Sequence, residues 1–135
     1  MLRPGSIYTT GGVKEVKGYL NYITIDGGMT DNPRFALYGS KYTVLNASRM
    51  NDPAGYECTV AGRCCESGDR VAENVMIAKP ERGDIIAVLS TGAYNYSMAS
   101  NYNRVPRPAI VIVSGGSSRL AVRRESFEDM MKNEL

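Results

Sequence analysis

Short segments in which apolar and polar side chains alternate constrain the fold of this chain more than any other feature. Residues 13–16 and 19–25 alternate in this way and are rich in tyrosine, isoleucine and threonine. A period of two is typical of half-buried β-strands, so both segments are predicted to be strands. Similar patterns or compositions predict further strands at residues 6–10, 41–47, 56–61, 71–78, 85–89, 109–113 and 119–122.

Turn residues separate these segments at regular spacing. Residues 11–12 and Gly18 are predicted turns, and the last two strands flank a glycine-containing turn as a hairpin. Residues 85–89 form the most continuous apolar run, which predicts a central strand buried on both faces. Ser126 is a candidate cap of a final helix, with Asp129 at the third position after it. The chain is therefore predicted to be mainly β, a Greek-key-type β-barrel or sandwich with a short C-terminal helix.

The length and net charge of the chain limit the classes of protein to which it is expected to belong. Its 135 residues predict one domain, residues 1–135, and a net charge of +2 is too small to indicate binding to nucleic acid or to a membrane surface. No apolar run approaches the roughly 20 residues that cross a bilayer. Residues 1–5 lack an apolar signal region, so a cytoplasmic location is expected.

Cysteine and histidine content restricts the chemistry. Cys58, Cys64 and Cys65 are an odd number of cysteines, two of them adjacent, which favours a reduced cytosolic setting. The chain has no histidine, which excludes Ser-His-Asp and Cys-His catalysis within it. Three thiols in this arrangement also argue against a zinc site, so no metal is expected.

Three polar loops carry the candidate functional groups. The aspartate loop is residues 26–38, and the cysteine loop is residues 61–69. The third candidate is residues 91–98, the start of a longer loop at residues 91–108 that we call the tyrosine loop. The tyrosine loop shows no periodicity, and loops of that length in compact domains are often functional. We predict that the three loops form one side of an active site whose other side lies outside this chain.

Cys65 and Glu66 place a thiol beside a carboxylate in a glycine-containing turn. A neighbouring carboxylate favours the protonated thiol, so Cys65 is predicted to act as an acid rather than as a nucleophile. The alternative is that Cys64 and Cys65 are small apolar residues at the end of a strand, because free cysteine usually behaves as a small buried hydrophobe. The pattern leaves both interpretations open.

Arginine and tyrosine side chains supply the other candidate groups. Arg34 and Tyr38 share one face of a predicted helical turn, where a guanidinium and a phenol are suited to bind a carboxylate. Tyr94 follows Gly92 and Ala93, small residues that let the backbone approach a ligand closely. The alternatives are that Arg34 is simply exposed with Tyr38 packed at the loop edge, and that Tyr94 is a core residue with its hydroxyl at the surface. Together the loops indicate a site for an anionic ligand that carries an amine.

These loops resemble the C-terminal part of the diaminopimelate decarboxylases, pyridoxal-phosphate-dependent enzymes with an alanine-racemase-like fold. The resemblance rests on three motifs in the family's order, namely residues 26–38, Cys65-Glu66-Ser67-Gly68-Asp69 and residues 92–103. It extends through residues 104–109 and 123–129 and so covers nearly the whole chain. The Cys-Glu-Ser-Gly-Asp form, with Arg34 and Tyr38, is closer to this family than to its ornithine or arginine relatives.

The resemblance implies a function for each candidate residue. Cys65 would give a proton to the carbanion that remains after carbon dioxide leaves, in the site of the partner subunit. Glu66 would help to hold the substrate from the same loop. Arg34 and Tyr38 would bind the distal carboxylate and amine end of the substrate, and Tyr94 would contact substrate and cofactor.

The resemblance also implies partners. The family has an N-terminal (β/α)8 barrel, which carries the lysine that anchors pyridoxal 5′-phosphate, and it works as a homodimer with sites at the interface. This barrel is absent from the chain, so we expect residues 1–135 to be inactive alone and to leave an open sheet edge that favours association. Phe35 stands where proline is common in the family.

Two other functions are alternatives. One is a related amino-acid decarboxylase of different specificity, whose substrate would not depend on Arg34 for a distal carboxylate. The other is a small β-barrel module that binds a ligand or single-stranded nucleic acid without catalysis. Exposed tyrosines would suit stacking on bases, but a net charge of +2 does not indicate the basic groove that such binding needs.

Overall fold

The strands and helices of the computed structural model, which describes residues 4–135, are mostly short. Within these residues there are eight strands and three α-helices. The strands are β1 (Gly5–Glu15), β2 (Asn21–Ile25), β3 (Val44–Asn46), β4 (Tyr56–Ala61), β5 (Arg70–Ile77), β6 (Ile85–Leu89), β7 (Ile110–Ser114) and β8 (Ser117–Val122). The helices are α1 (Arg34–Tyr38), α2 (Asn95–Met98) and α3 (Phe127–Met131), and single 3₁₀ turns span Ala47–Arg49 and Tyr102–Arg104. The prediction of a mainly β domain with a short C-terminal helix is confirmed.

Six strands form one curled sheet, and β7 and β8 form a separate hairpin. The order in the sheet is β3-β6-β1-β2-β4-β5, with antiparallel neighbours except for the parallel pair β2 and β4. The edge strands β3 and β5 approach each other, and Asn46 Nδ2 donates a hydrogen bond to the Ala78 carbonyl oxygen at 3.4 Å. No ladder joins these two strands within residues 4–135. The predicted barrel is therefore present and nearly closed, with a narrow seam at its edge.

The core fills the inside of this barrel and takes side chains from all six strands. Its largest fully buried apolar members are Ile23, Val60, Val71, Ile77, Ile86 and Val88. Burying each such side chain contributes roughly 1.5–3 kcal/mol relative to leaving it exposed. Strand β6 lies between β3 and β1 and has three consecutive buried residues, as its continuous apolar run predicted.

Two sequence-based boundaries are wrong. The turn predicted at residues 11–12 does not form, because β1 runs through both glycines with a bulge between Thr10 and Gly12. A Cβ at Gly11 would lie 3.3 Å from Thr24 Oγ1, so glycine lets the strands approach closely here. The strand predicted at residues 41–47 is confined to β3, because the chain turns into a 3₁₀ helix at residue 47.

The C-terminal hairpin and the final helix form where their local sequence predicted them. Gly115 and Gly116 have φ values of 56° and 74°, the left-handed conformations that a two-residue hairpin turn requires. Ser126 and Asp129 form a capping box at the start of α3, as predicted. The tyrosine loop contains α2 and a 3₁₀ turn, each too short to produce a detectable period.

Candidate functional site

Asp69 joins the cysteine loop to the aspartate loop. The residue is 3% exposed, and its carboxylate accepts hydrogen bonds from Met29 N at 2.6 Å and from Cys64 N at 2.7 Å. A backbone bond from Arg63 N to Gly27 O at 3.0 Å runs beside them. A buried carboxylate that accepts two backbone N–H groups is strongly held. The two loops are therefore fixed against each other.

Glycines make room for this carboxylate. A Cβ on Gly62 would lie 2.2 Å from Asp69 Oδ2, and a Cβ on Gly28 would lie 2.4 Å from Asp69 Oδ1. A Cβ on Gly27 would lie 2.2 Å from Cε1 of the buried Tyr8 ring. Glycine is required at these positions by close approach within the fold.

Replacing Gly62 with alanine is expected to destabilise the domain by roughly 1–3 kcal/mol, because the new methyl group collides with a side chain that cannot move away. Gly55→Ala is the matched control, since a Cβ at Gly55 meets nothing within 4 Å. Its effect should stay within about 0.5 kcal/mol. Urea unfolding of the two variants measures both changes, and equal stabilities would contradict the proposed function of Asp69 as a bridge.

All three loops meet around Cys64. Its thiol is half-buried beside Asp69, and the side chains of Thr30 and Asn103 approach it from the aspartate and tyrosine loops. Burial raises the pKa of the Cys64 thiol, and the neighbouring Asp69 charge raises it further. Ser100 N also donates to Thr30 O at 2.9 Å, which ties the tyrosine loop to the aspartate loop.

Cys65 and Glu66 lie on the outer side of the cysteine loop, and both are exposed. Glu66 Oε1 accepts from Gly68 N at 3.0 Å, and Oε2 accepts from Tyr102 OH at 3.3 Å. The Gly68 N–H first, then the Tyr102 hydroxyl and Ser67, hold the pKa of Glu66 below its ordinary value, so the carboxylate is ionised at neutral pH. Because Cys65 is exposed, it is not a buried hydrophobic residue, which was the alternative interpretation. That interpretation fits the half-buried Cys64 better.

Arg34 contacts two aromatic rings, one in its own aspartate loop and one in the tyrosine loop. Its guanidinium carbon lies 5.5 Å from the Tyr38 ring centroid and 5.4 Å from the Tyr94 ring centroid. Such contacts contribute about 0.5–1 kcal/mol at exposed sites and orient the guanidinium. Tyr38 and Tyr94 are 65% and 68% exposed, so neither is a packed or core tyrosine in this domain.

An open depression of about 300 Å³ lies next to this cluster. Arg34 and Lys41 contribute its charged groups, and none of the described residues that line it is acidic. The remaining lining residues are Ser40, Tyr42, Ser90, Ala93 and Tyr94. Positive charge, hydroxyl groups and an open mouth make this depression suited to an anionic ligand.

Backbone strain is concentrated in and beside the tyrosine loop. Ser90, Tyr94, Asn103 and Arg104 have φ values of 62°, 70°, 54° and 57°. Positive φ in residues other than glycine costs of order 1–3 kcal/mol, and such residues cluster at functional sites. At Tyr94 the strained conformation immediately precedes α2 and sets the direction of the exposed phenol.

The sequence pattern does not single out several residues that shape this site. Asp69 lies within the Cys-Glu-Ser-Gly-Asp motif, but one of its two backbone partners, Met29 N, lies in the distant aspartate loop. Asn95 is 5% exposed, and neither polar atom of its side chain has a partner within residues 4–135. The close approach of Gly92 to a ligand stays a prediction, and within the chain a Cβ at Gly92 would lie 2.2 Å from Pro4 Cβ.

Comparison with known proteins identifies the family. The family model described as "Pyridoxal-dependent decarboxylase, C-terminal sheet domain" matches residues 7–92. Diaminopimelate decarboxylase from Bacillus subtilis (strain 168) is 47% identical over 130 residues, which cover 96% of this chain and 30% of that relative. Diaminopimelate decarboxylase from Synechocystis sp. is 49% identical over 127 residues, which cover 94% of this chain and 27% of that relative.

A solved structure agrees with these sequence relatives. The crystal structure of diaminopimelate decarboxylase from M. jannaschii in complex with L-lysine matches with a TM-score of 0.87 and 30% identity, over 97% of this chain and 30% of that one. The chain thus spans about 30% of the length of the relatives it matches. The resemblance to these enzymes that the loop motifs indicated is confirmed. The chain therefore belongs to the pyridoxal-dependent decarboxylases and corresponds to their C-terminal sheet domain.

Proposed function

We propose that this chain is the C-terminal part of a diaminopimelate decarboxylase, which converts meso-2,6-diaminopimelate to L-lysine and carbon dioxide. The observation that carries the proposal is the cluster of Arg34, Tyr38 and Tyr94 beside a depression whose charged groups are cationic. Diaminopimelate has a distal carboxylate and a distal ammonium, for which Arg34 of one subunit offers a guanidinium and Glu66 of the partner subunit offers a carboxylate. The L-lysine bound to the M. jannaschii relative is the proposed product.

Each side chain has a distinct function in this proposal. The Arg34 guanidinium donates two hydrogen bonds to the distal carboxylate, and the Tyr38 hydroxyl donates a further one. The ionised Glu66 carboxylate pairs with a substrate ammonium. The exposed Cys65 thiol gives its proton to the carbon that has lost carbon dioxide, which completes the replacement of a carboxylate by hydrogen.

The described residues also include a group that is suited to contact the cofactor of the family. Pyridoxal 5′-phosphate, when bound, supplies an electron sink for the carbon that loses carbon dioxide. The exposed Tyr94 hydroxyl beside the cationic depression offers a hydrogen-bond donor to an anionic or ring substituent of such a group. In the proposal Tyr94 contacts the cofactor, and the lysine that anchors it comes from the N-terminal barrel.

The proposed partners are that N-terminal barrel and a second subunit, in a homodimer with shared sites. The surface supports a covering partner at the β7–β8 hairpin, where Val111, Val113 and Leu120 are exposed. This hairpin has no third strand within residues 4–135, and an isolated two-stranded hairpin is only marginally stable.

The isolated chain is expected to release no carbon dioxide from meso-diaminopimelate with added pyridoxal phosphate, because it supplies only one side of the site. Carbon dioxide release is measured against a boiled sample of the same chain. Turnover above that control would contradict the proposal that residues 1–135 need the barrel.

A chimera provides the positive arm of this test. In it, residues 1–135 replace the matching C-terminal segment of the Bacillus subtilis enzyme, to which they are 47% identical. The chimera is expected to bind pyridoxal phosphate and to release carbon dioxide from meso-diaminopimelate. A folded, cofactor-loaded chimera that leaves this substrate unchanged would contradict the proposed function.

A further inference from the structure

Glu66 is held by donors from two different loops, and within its own loop Ser67 Oγ also donates to its Oε1 at 3.5 Å. Its Oε1 accepts from Gly68 N at 3.0 Å, within the cysteine loop. Its Oε2 accepts from the hydroxyl of Tyr102 at 3.3 Å, across to the tyrosine loop. The carboxylate itself is exposed, so its remaining acceptor positions are open to a ligand.

Tyr102 is itself well placed to hold this carboxylate. It begins a 3₁₀ turn whose next two residues, Asn103 and Arg104, both have positive φ. Its backbone N–H donates to Ser100 Oγ at 3.4 Å, and an ion pair between Arg104 and Glu134 ties the same turn to the C-terminal end of the chain. The phenol therefore reaches Glu66 from a turn that also has anchors outside the cysteine loop, at Ser100 and Glu134.

The charges of the pair are consistent with a hydrogen bond to an ionised carboxylate. The pKa of Glu66 is lowered by the Gly68 N–H first and by the Tyr102 hydroxyl second, and the pKa of Tyr102 is raised chiefly by the charge on Glu66. The other titratable groups that face Tyr102 are the thiols of Cys64 and Cys65. Glu66 thus keeps its negative charge, and the phenol keeps its proton, across the neutral range.

We propose that Tyr102 is a positioning residue that fixes the Glu66 carboxylate, on the loop that carries Cys65, for pairing with a substrate ammonium. The inference rests on the proposed function, because that function is what gives Glu66 a cationic ligand. Tyr102 does not touch the reacting atoms in this scheme. It restricts the rotation of Glu66 and lowers the affinity of the carboxylate for a proton, so that the ammonium meets an oriented anion.

The direct test is a pH titration of the Glu66 side-chain carboxyl by NMR in the 135-residue chain. Tyr102→Phe keeps the ring and removes the hydroxyl, so the pKa of Glu66 is expected to rise. Tyr96→Phe is the matched control, because Tyr96 is 44% exposed against 46% for Tyr102 and its hydroxyl makes no hydrogen bond within residues 4–135. A Glu66 titration that is the same in both variants would overturn the inference.

The kinetic arm uses the chimera. Tyr102→Phe is expected to raise KM for meso-diaminopimelate by about 2- to 10-fold, the equivalent of one ordinary hydrogen bond, with a smaller effect on kcat. Tyr96→Phe should leave both constants unchanged. An unchanged KM in Tyr102→Phe would overturn the link to substrate binding. A chimera that shows no turnover would instead count against the proposed function, and the titration of Glu66 would then still decide whether Tyr102 positions its carboxylate.

Discussion

Replacing Cys65 with serine in the chimera is expected to lower kcat by roughly 10²- to 10⁴-fold, the contribution typical of a positioned general acid. Serine keeps the size of the side chain, but its hydroxyl releases a proton far less readily than a thiol. KM for meso-diaminopimelate should change little, because the thiol acts on the carbon from which carbon dioxide has left. A loss of this kind, in kcat and kcat/KM together, is the mark of an interaction made in the transition state.

Cys64 provides the matched control for this experiment. Its thiol is half-buried among the three loops, whereas the thiol of Cys65 is exposed. Cys64→Ser is therefore expected to retain most of kcat, and steady-state kinetics of the two variants under the same conditions compare them directly. Equal losses in the two variants, or a Cys65→Ser variant with the kcat of the parent chimera, would contradict the assignment of Cys65 as proton donor.

Local chemistry in the sequence was sufficient to predict many elements of the fold. The helical turn predicted at residues 34–38 is α1, with the same bounds, because Pro33 precedes it and Gly39 ends it in a left-handed conformation. The strand bounds predicted for residues 56–61 and 85–89 are also those of β4 and β6. In each case the signal comes from residues that are neighbours in the sequence, so a sequence pattern contains it.

Contacts between segments that are distant in the chain could not be predicted from the sequence patterns. The parallel pairing of β2 with β4 and the curling of β3 towards β5 depend on how the whole sheet closes. The bridge made by Asp69 depends on a backbone N–H 40 residues away. The candidate groups themselves could be named from their chemistry, but the approach of Tyr102 to Glu66 and the unpartnered amide of Asn95 appear only once the loops are folded together.

Arg34 distinguishes the proposed function from that of a related decarboxylase. The guanidinium lies between the Tyr38 and Tyr94 rings and can hold a carboxylate through two parallel hydrogen bonds, which a lysine ammonium cannot reproduce. Arg34→Lys in the chimera is therefore expected to lower kcat/KM for meso-diaminopimelate by about 10- to 100-fold, since one hydrogen bond to a charged group is worth about 1.5–3 kcal/mol.

The decisive measurement is the dependence of this loss on the substrate. D-lysine keeps the reacting D end of meso-diaminopimelate and lacks the distal carboxylate, so it never forms the bidentate pair, and any slow turnover of it should be insensitive to Arg34→Lys. Arg82→Lys, at an exposed turn, is the matched control and should alter neither reaction. If Arg34→Lys reduced both reactions equally, Arg34 would be acting on the fold of the loops, and the distal carboxylate would have to be recognised elsewhere. A loss confined to diaminopimelate would show that Arg34 binds the distal carboxylate, because the substitution would then affect only the substrate that carries this charge.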